Sequence, residues 1–78
     1  MSIHERINTR AHLVAMVKDR RHIALIRKGV AVATFMPMVT GYSVSVGVNC
    51  AFLAFTEVVN EAMYIMSHNE NIDFREGV

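Results

Sequence analysis

Twenty-eight consecutive residues, Gly29 to Thr56, carry no charged side chain, although Lys28 precedes them and Glu57 follows. The other 50 residues hold all eight Lys and Arg and all seven Asp and Glu of the chain. A charge-free window of this length admits two structures. It can cross a bilayer, which takes about 20 mainly apolar residues, or it can form the buried part of a very small domain.

Size sharpens the alternative. A chain of 78 residues buries only about 60% of its unfolded surface. It is marginal unless a staple, a partner or a membrane supports it. Cys50 is the only cysteine, so no intrachain disulfide is available, and no Cys/His cluster has zinc spacing. Cys50 itself reads as a small apolar residue inside an apolar run. The composition leans toward a membrane: 53% apolar before glycine is added and 19% charged, against about 45–50% with glycine and about 25% in ordinary soluble domains.

The net charge of +1 conceals a division. Residues 1–28 hold seven basic side chains against two acidic ones, a net +5, and residues 29–78 hold one against five, a net −4. Around a span, the positive-inside rule would set the N-terminus in the cytoplasm. No cleavable secretory signal is expected, because the first 28 residues lack a clean apolar stretch. Glu5 and Asp19 argue against a mitochondrial presequence.

Read along the chain, "SIHE" at Ser2–Glu5 has the form of a capping box. Ile3, Ile7, Ala11, Val14 and Val17 then recur at spacings of three and four, predicting an amphipathic helix over residues 3–18. Residues 18–29, "KDRRHIALIRKG", form a basic segment. Its "IALI" reads either as a short strand leading to a Lys28–Gly29 turn or as a helical piece at a membrane interface, its basic side chains reaching for headgroups.

The central run has two incompatible readings. As strands, "VAVATF" (30–35) and "YSVSVGV" (42–48) alternate at period two. Val44, Val46 and Val48 then share one face, Ser43, Ser45 and Gly47 the other, and Pro37 with Thr40–Gly41 makes the connection. As a helix, Gly41 and Ser45 stand four apart, as do Ser43, Gly47 and Ala51. That small-xxx-small pattern lets membrane helices approach closely. Farther on, Phe52, Phe55, Val59, Ala62, Met63 and Met66 form a helical stripe opposite Glu57, Asn60, Glu61, Tyr64 and His68, predicting a helix over residues 50–68. Residues 69–78 read as a polar, frayed tail.

Little in the chain carries chemistry. His4 and His12 are two helical turns apart, too far to share a metal, and no His-x3-His pair exists among His4, His12, His22 and His68. Glu57 and Glu61 lie one turn apart but read as a solvated face. The glycines are too dispersed for a phosphate loop, and no nucleophile elbow is present. No catalytic residue, metal or other cofactor is therefore expected. Lys18, Arg20, Arg21, Arg27 and Lys28 are candidates for contact with anionic lipid, ahead of the phosphates of nucleic acid, because no aromatic is interleaved for base stacking.

The weighed expectation is a mainly α membrane protein. An amphipathic helix would lie on the cytoplasmic face, followed by a transmembrane helix over about residues 30–55. It would be a non-catalytic oligomeric or accessory subunit, packing through Gly41, Ser43, Ser45, Gly47 and Ala51 against itself or a larger membrane complex. The alternative is a small, soluble, cytoplasmic α+β homo-oligomer, built as helix, β-hairpin and helix, that binds or inhibits another protein.

Overall fold

A computed structural model describes residues 3–69 and 71–76, and they form an α+β fold rather than a membrane helix. The order is α1 (Ile3–Lys18), β1 (Ile23–Arg27), β2 (Val30–Pro37), β3 (Gly41–Val46), β4 (Asn49–Ala54), α2 (Phe55–His68) and β5 (Ile72–Glu76). The five strands make one antiparallel sheet in the order β4-β3-β2-β1-β5.

The expected span over residues 30–55 is overturned. Those residues are three strands and the start of α2, and among the described residues no helix is long and apolar enough to cross a membrane. The punctuation explains why. Lys28 and Gly29 both have positive φ, 51° and 79°, the signature of a type I′ turn joining β1 to β2. Gly47 has φ 59° with Val48 outside the positive region, which fits a type II′ turn joining β3 to β4. Pro37 ends β2, and the Met38 N–H donates to the Gly41 carbonyl at 2.7 Å across the intervening loop. Between these turns the β-branched valines prefer a pleated surface. The alternation of "YSVSV" therefore outweighs its small-xxx-small spacing.

The core lies between one face of the sheet and the two helices. Ile23, Leu25, Ala33, Phe35, Tyr42 and Val44 from the strands meet Leu13, Met16 and Val17 of α1 and Val58, Val59, Ala62, Met63 and Met66 of α2. Two helical details differ from the expected wheels. Among the described side chains of α1 the buried ones are Leu13, Met16 and Val17, whereas Val14 is 47% exposed; those of the expected Ile3 and Ile7 lie outside the described ones. The second helix starts at Phe55, not at residue 50, because Asn49–Ala54 pairs with β3. Ala54, its N-cap, makes no side-chain capping bond, so no Ser, Thr, Asp or Asn marks the boundary.

Within the expected tail, Ile72–Glu76 is a strand rather than a frayed end. Ile72–Glu76 pairs with β1, and Ile72 and Phe74 pack against the core. Phe74 also meets the His12 ring of α1 edge-on, 4.9 Å between centroids. Ser2 of the expected capping box lies outside the described residues.

Candidate binding surface

Both helices cover the same face of the sheet, and among the described residues no second layer covers the other face. Register fixes what it displays, since residues paired across antiparallel strands project to one side. One row runs Arg75, Ala24, Thr34, Ser45, Cys50. A second runs Met36, Ser43, Phe52, and a third joins Asp73, Ile26 and Ala31. The Ser45 hydroxyl and the Cys50 thiol lie 3.6 Å apart on this face.

The centre of the face is low, and its margin is taller. Ala24, Ala31, Thr34, Ser43 and Ser45 line an open groove of about 540 Å³ with His22, Ile26, Met36 and Arg75 beside them. Met36 is 53% and Phe52 56% exposed. The only charged side chains in the three rows, Arg75 and Asp73, come from β5 at one edge.

This geometry redistributes the residues expected to form a helix-packing interface. Gly41, Ser43 and Ser45 do share a face, because period two reunites them along β3. Gly41 is buried there: a Cβ would run into the Leu53 carbonyl oxygen and come within 2.8 Å of the Phe52 ring. That glycine serves a contact inside the chain. Gly47 sits in the β3–β4 turn, and Ala51, paired with Val44, lies on the helix side.

The five basic residues are also divided. Lys18 ends α1, and Arg20 and Arg21 lie between α1 and β1, whereas Arg27 is the last residue of that strand and Lys28 follows it in the turn, about 20 Å from Arg21 at strand rise. Arg20 stacks on the Phe55 ring at 4.8 Å. Arg21 pairs with Glu76 at 2.8 Å and with Asp19 at 3.8 Å. The Arg21 pairs rim a second hollow, about 400 Å³, between α1 and β5.

The titratable residues are similarly dispersed. His22 borders the open face, His12 packs on Phe74, and His68 stacks on Tyr64 with ring centroids 4.0 Å apart. Among the described residues, no group of three or more His, Cys, Asp or Glu could hold a metal ion. Tyr42 is fully buried and donates its hydroxyl to the Arg21 carbonyl at 2.7 Å. Burial raises its phenol above the usual value of 10.0, while the nearby Arg20 charge pulls the other way.

The fold and surface define an α+β protein whose antiparallel sheet is helix-covered on one side and open on the other. No family model matches the chain, and no curated protein or solved structure matches it significantly. The sequence groups Ser43 and Ser45 by their small size, as part of an expected helix-packing interface. It gives no sign that Met36, Thr34 and Phe52 lie beside them, because that common face exists only once three strands are in register.

Proposed function

We propose that this chain is a non-catalytic binding protein that acts as a homo-oligomer and holds or inhibits another protein on its open sheet face. The observation that carries the reading is the low, hydroxyl-lined groove of about 540 Å³ beside exposed Met36 and Phe52. An antiparallel sheet can leave one face to water, but a face bearing exposed apolar side chains is a place where a further layer can be buried. Small floor residues leave room for the large side chains of an incoming amphipathic helix, and Met36 and Phe52 supply apolar contact. A cytoplasmic setting belongs to the same reading, since an exposed unpaired thiol at Cys50 suits a reducing compartment.

The test is site-specific photo-crosslinking in cells. A photoreactive residue at Ser43 should give a discrete protein adduct, and one at the exposed Val14 on α1 should not. Adding Thr34→Arg, which fills the groove with a charged side chain, should abolish the Ser43 adduct. Equal labelling from both positions, or an adduct indifferent to Thr34→Arg, would overturn the reading.

A further inference from the structure

The sheet has two edges, and they are finished differently. β5 reads "IDFRE" and carries Asp73, Arg75 and Glu76, the kind of charged edge that resists pairing with another strand. At the opposite edge β4 reads "NCAFLA", with no charge and no proline. We infer that β4 is the self-association edge of this protein, pairing antiparallel with β4 of a second copy to join two five-stranded sheets into one of ten. The inference deepens the homo-oligomeric part of the reading above by naming its interface.

Main-chain geometry gives the register. Val46 and Asn49 flank a two-residue turn, so they form the hydrogen-bonded pair that closes the hairpin. Counting in twos along β4, Asn49, Ala51 and Leu53 turn their N–H and C=O groups toward β3. Those of Cys50, Phe52 and Ala54 turn outward, where the sheet ends. Two copies related by a twofold axis at Phe52 pair Phe52 with its own counterpart and Cys50 with the second copy's Ala54. The two Phe52 residues then exchange both main-chain bonds and each Ala54 N–H reaches the second copy's Cys50 carbonyl, while the Ala54 carbonyl, at the N-cap of α2, also takes that helix's first bond. The two Phe52 rings become cross-strand neighbours on the open face.

Three features favour a second copy as the occupant. The edge is self-complementary, with no like charges brought opposite one another, and a twofold pairing closes on itself, whereas a β4-to-β5 contact would propagate without end. The net charge of +1 gives two copies little reason to repel. Apolar surface also continues past the strand on the helix side. The Asn60 side chain accepts from Arg10 of α1, so Ile65, about 140° farther round α2, lies on the flank toward β4. Ile65 and Leu53 are only partly buried.

The experiment uses the full chain at roughly 1–100 µM, the range in which small interfaces associate. Light scattering after size exclusion should give twice the 8.8 kDa chain mass, and Phe52→Lys should weaken dimerisation about tenfold or more. In Cys50→Ser/Phe52→Cys, the two new thiols face each other across a hydrogen-bonded pair, within disulfide reach. This variant should crosslink on mild oxidation. Wild-type Cys50 stands about 13 Å along the strand from its counterpart in this register and should not crosslink. Far-ultraviolet circular dichroism checks that each variant is folded. A dimer that neither crosslinks through position 52 nor responds to Phe52→Lys would overturn the β4 interface and leave the homo-oligomeric reading standing. A monomer throughout this range would overturn both, while binding on the open face would still be judged by the Ser43 adduct.

Discussion

Val44 and Ser45 stand next to each other in β3, one in the core and one on the open face, and the same alternation divides the neighbouring strands. The core row through Val44 is Ile23, Phe35, Val44. The open row beside it is Ala24, Thr34, Ser45. Each bulky apolar residue thus has a small or hydroxylated neighbour one step along the same strand. The helix-covered face is chosen for volume. The open face is chosen for low relief and for hydroxyls that tolerate water. A face destined for lipid would have been apolar on the outside, and one destined only for water would carry charge across its middle. This one has neither, which supports the proposal that a partner protein covers it.

The heaviest way to stress that contrast is Phe35→Ala. Phe35 is 1% exposed and lies between Ile23 and Val44 in register. Truncating such a ring costs about 3–5 kcal/mol. A domain of this length has roughly 4–12 kcal/mol in all. Urea denaturation should therefore show a variant that is mostly unfolded or retains only a shallow transition. A loss below about 1 kcal/mol would mean that the helix-covered face is not the core.

How much of this was legible beforehand follows from which interactions are local. The Lys28–Gly29 turn and the alternation of Ser43, Val44, Ser45 and Val46 were readable, because turn chemistry and period two are properties of adjacent residues. Whether residues 30–54 would be strand or helix was not, since valine, serine and glycine suit both and the window has the length of a span. The start of α2 was hidden by a coincidence: Phe52, Phe55 and Val59 keep helical spacing across a strand–helix boundary that Ala54 does not cap. β5 was unreadable for a different reason. Its five residues acquire a structure by pairing with β1, more than 40 positions earlier, and non-local pairing leaves no periodic trace in so short a segment. The open face, being a product of four strand registers, shares that limit.

A smaller effect belongs to the buried Tyr42 hydroxyl. Tyr42→Phe removes the bond to the Arg21 carbonyl and should cost about 1 kcal/mol at neutral pH. It should also change the alkaline limb of stability. Below pH 10 the phenol is neutral in both states and contributes no pH dependence. Its folded value is raised above 10.0 by burial, so as pH climbs past 10 the unfolded chain releases this proton first. Stability therefore falls with rising pH from there upward. Urea midpoints measured between about pH 8 and 11 should fall less steeply in Tyr42→Phe than in the wild type. Parallel curves would show that Tyr42 does not titrate differently on folding.

The lightest touch is the most discriminating for the open face. Thr34→Val is nearly isosteric, keeps a β-branched side chain in a strand and removes only a hydroxyl from an exposed position. On a face left to solvent it should move the stability of the isolated protein by no more than about 0.5 kcal/mol in either direction. The same surface should become stickier, because the floor between Ala24 and Ser45 loses its one branched hydroxyl. Denaturant titration checks the first part, and retention of the folded protein on a mild hydrophobic-interaction column checks the second. A destabilisation above about 1 kcal/mol would show that the Thr34 hydroxyl is committed within the chain, making this face part of the fold's own interior rather than a platform for another protein.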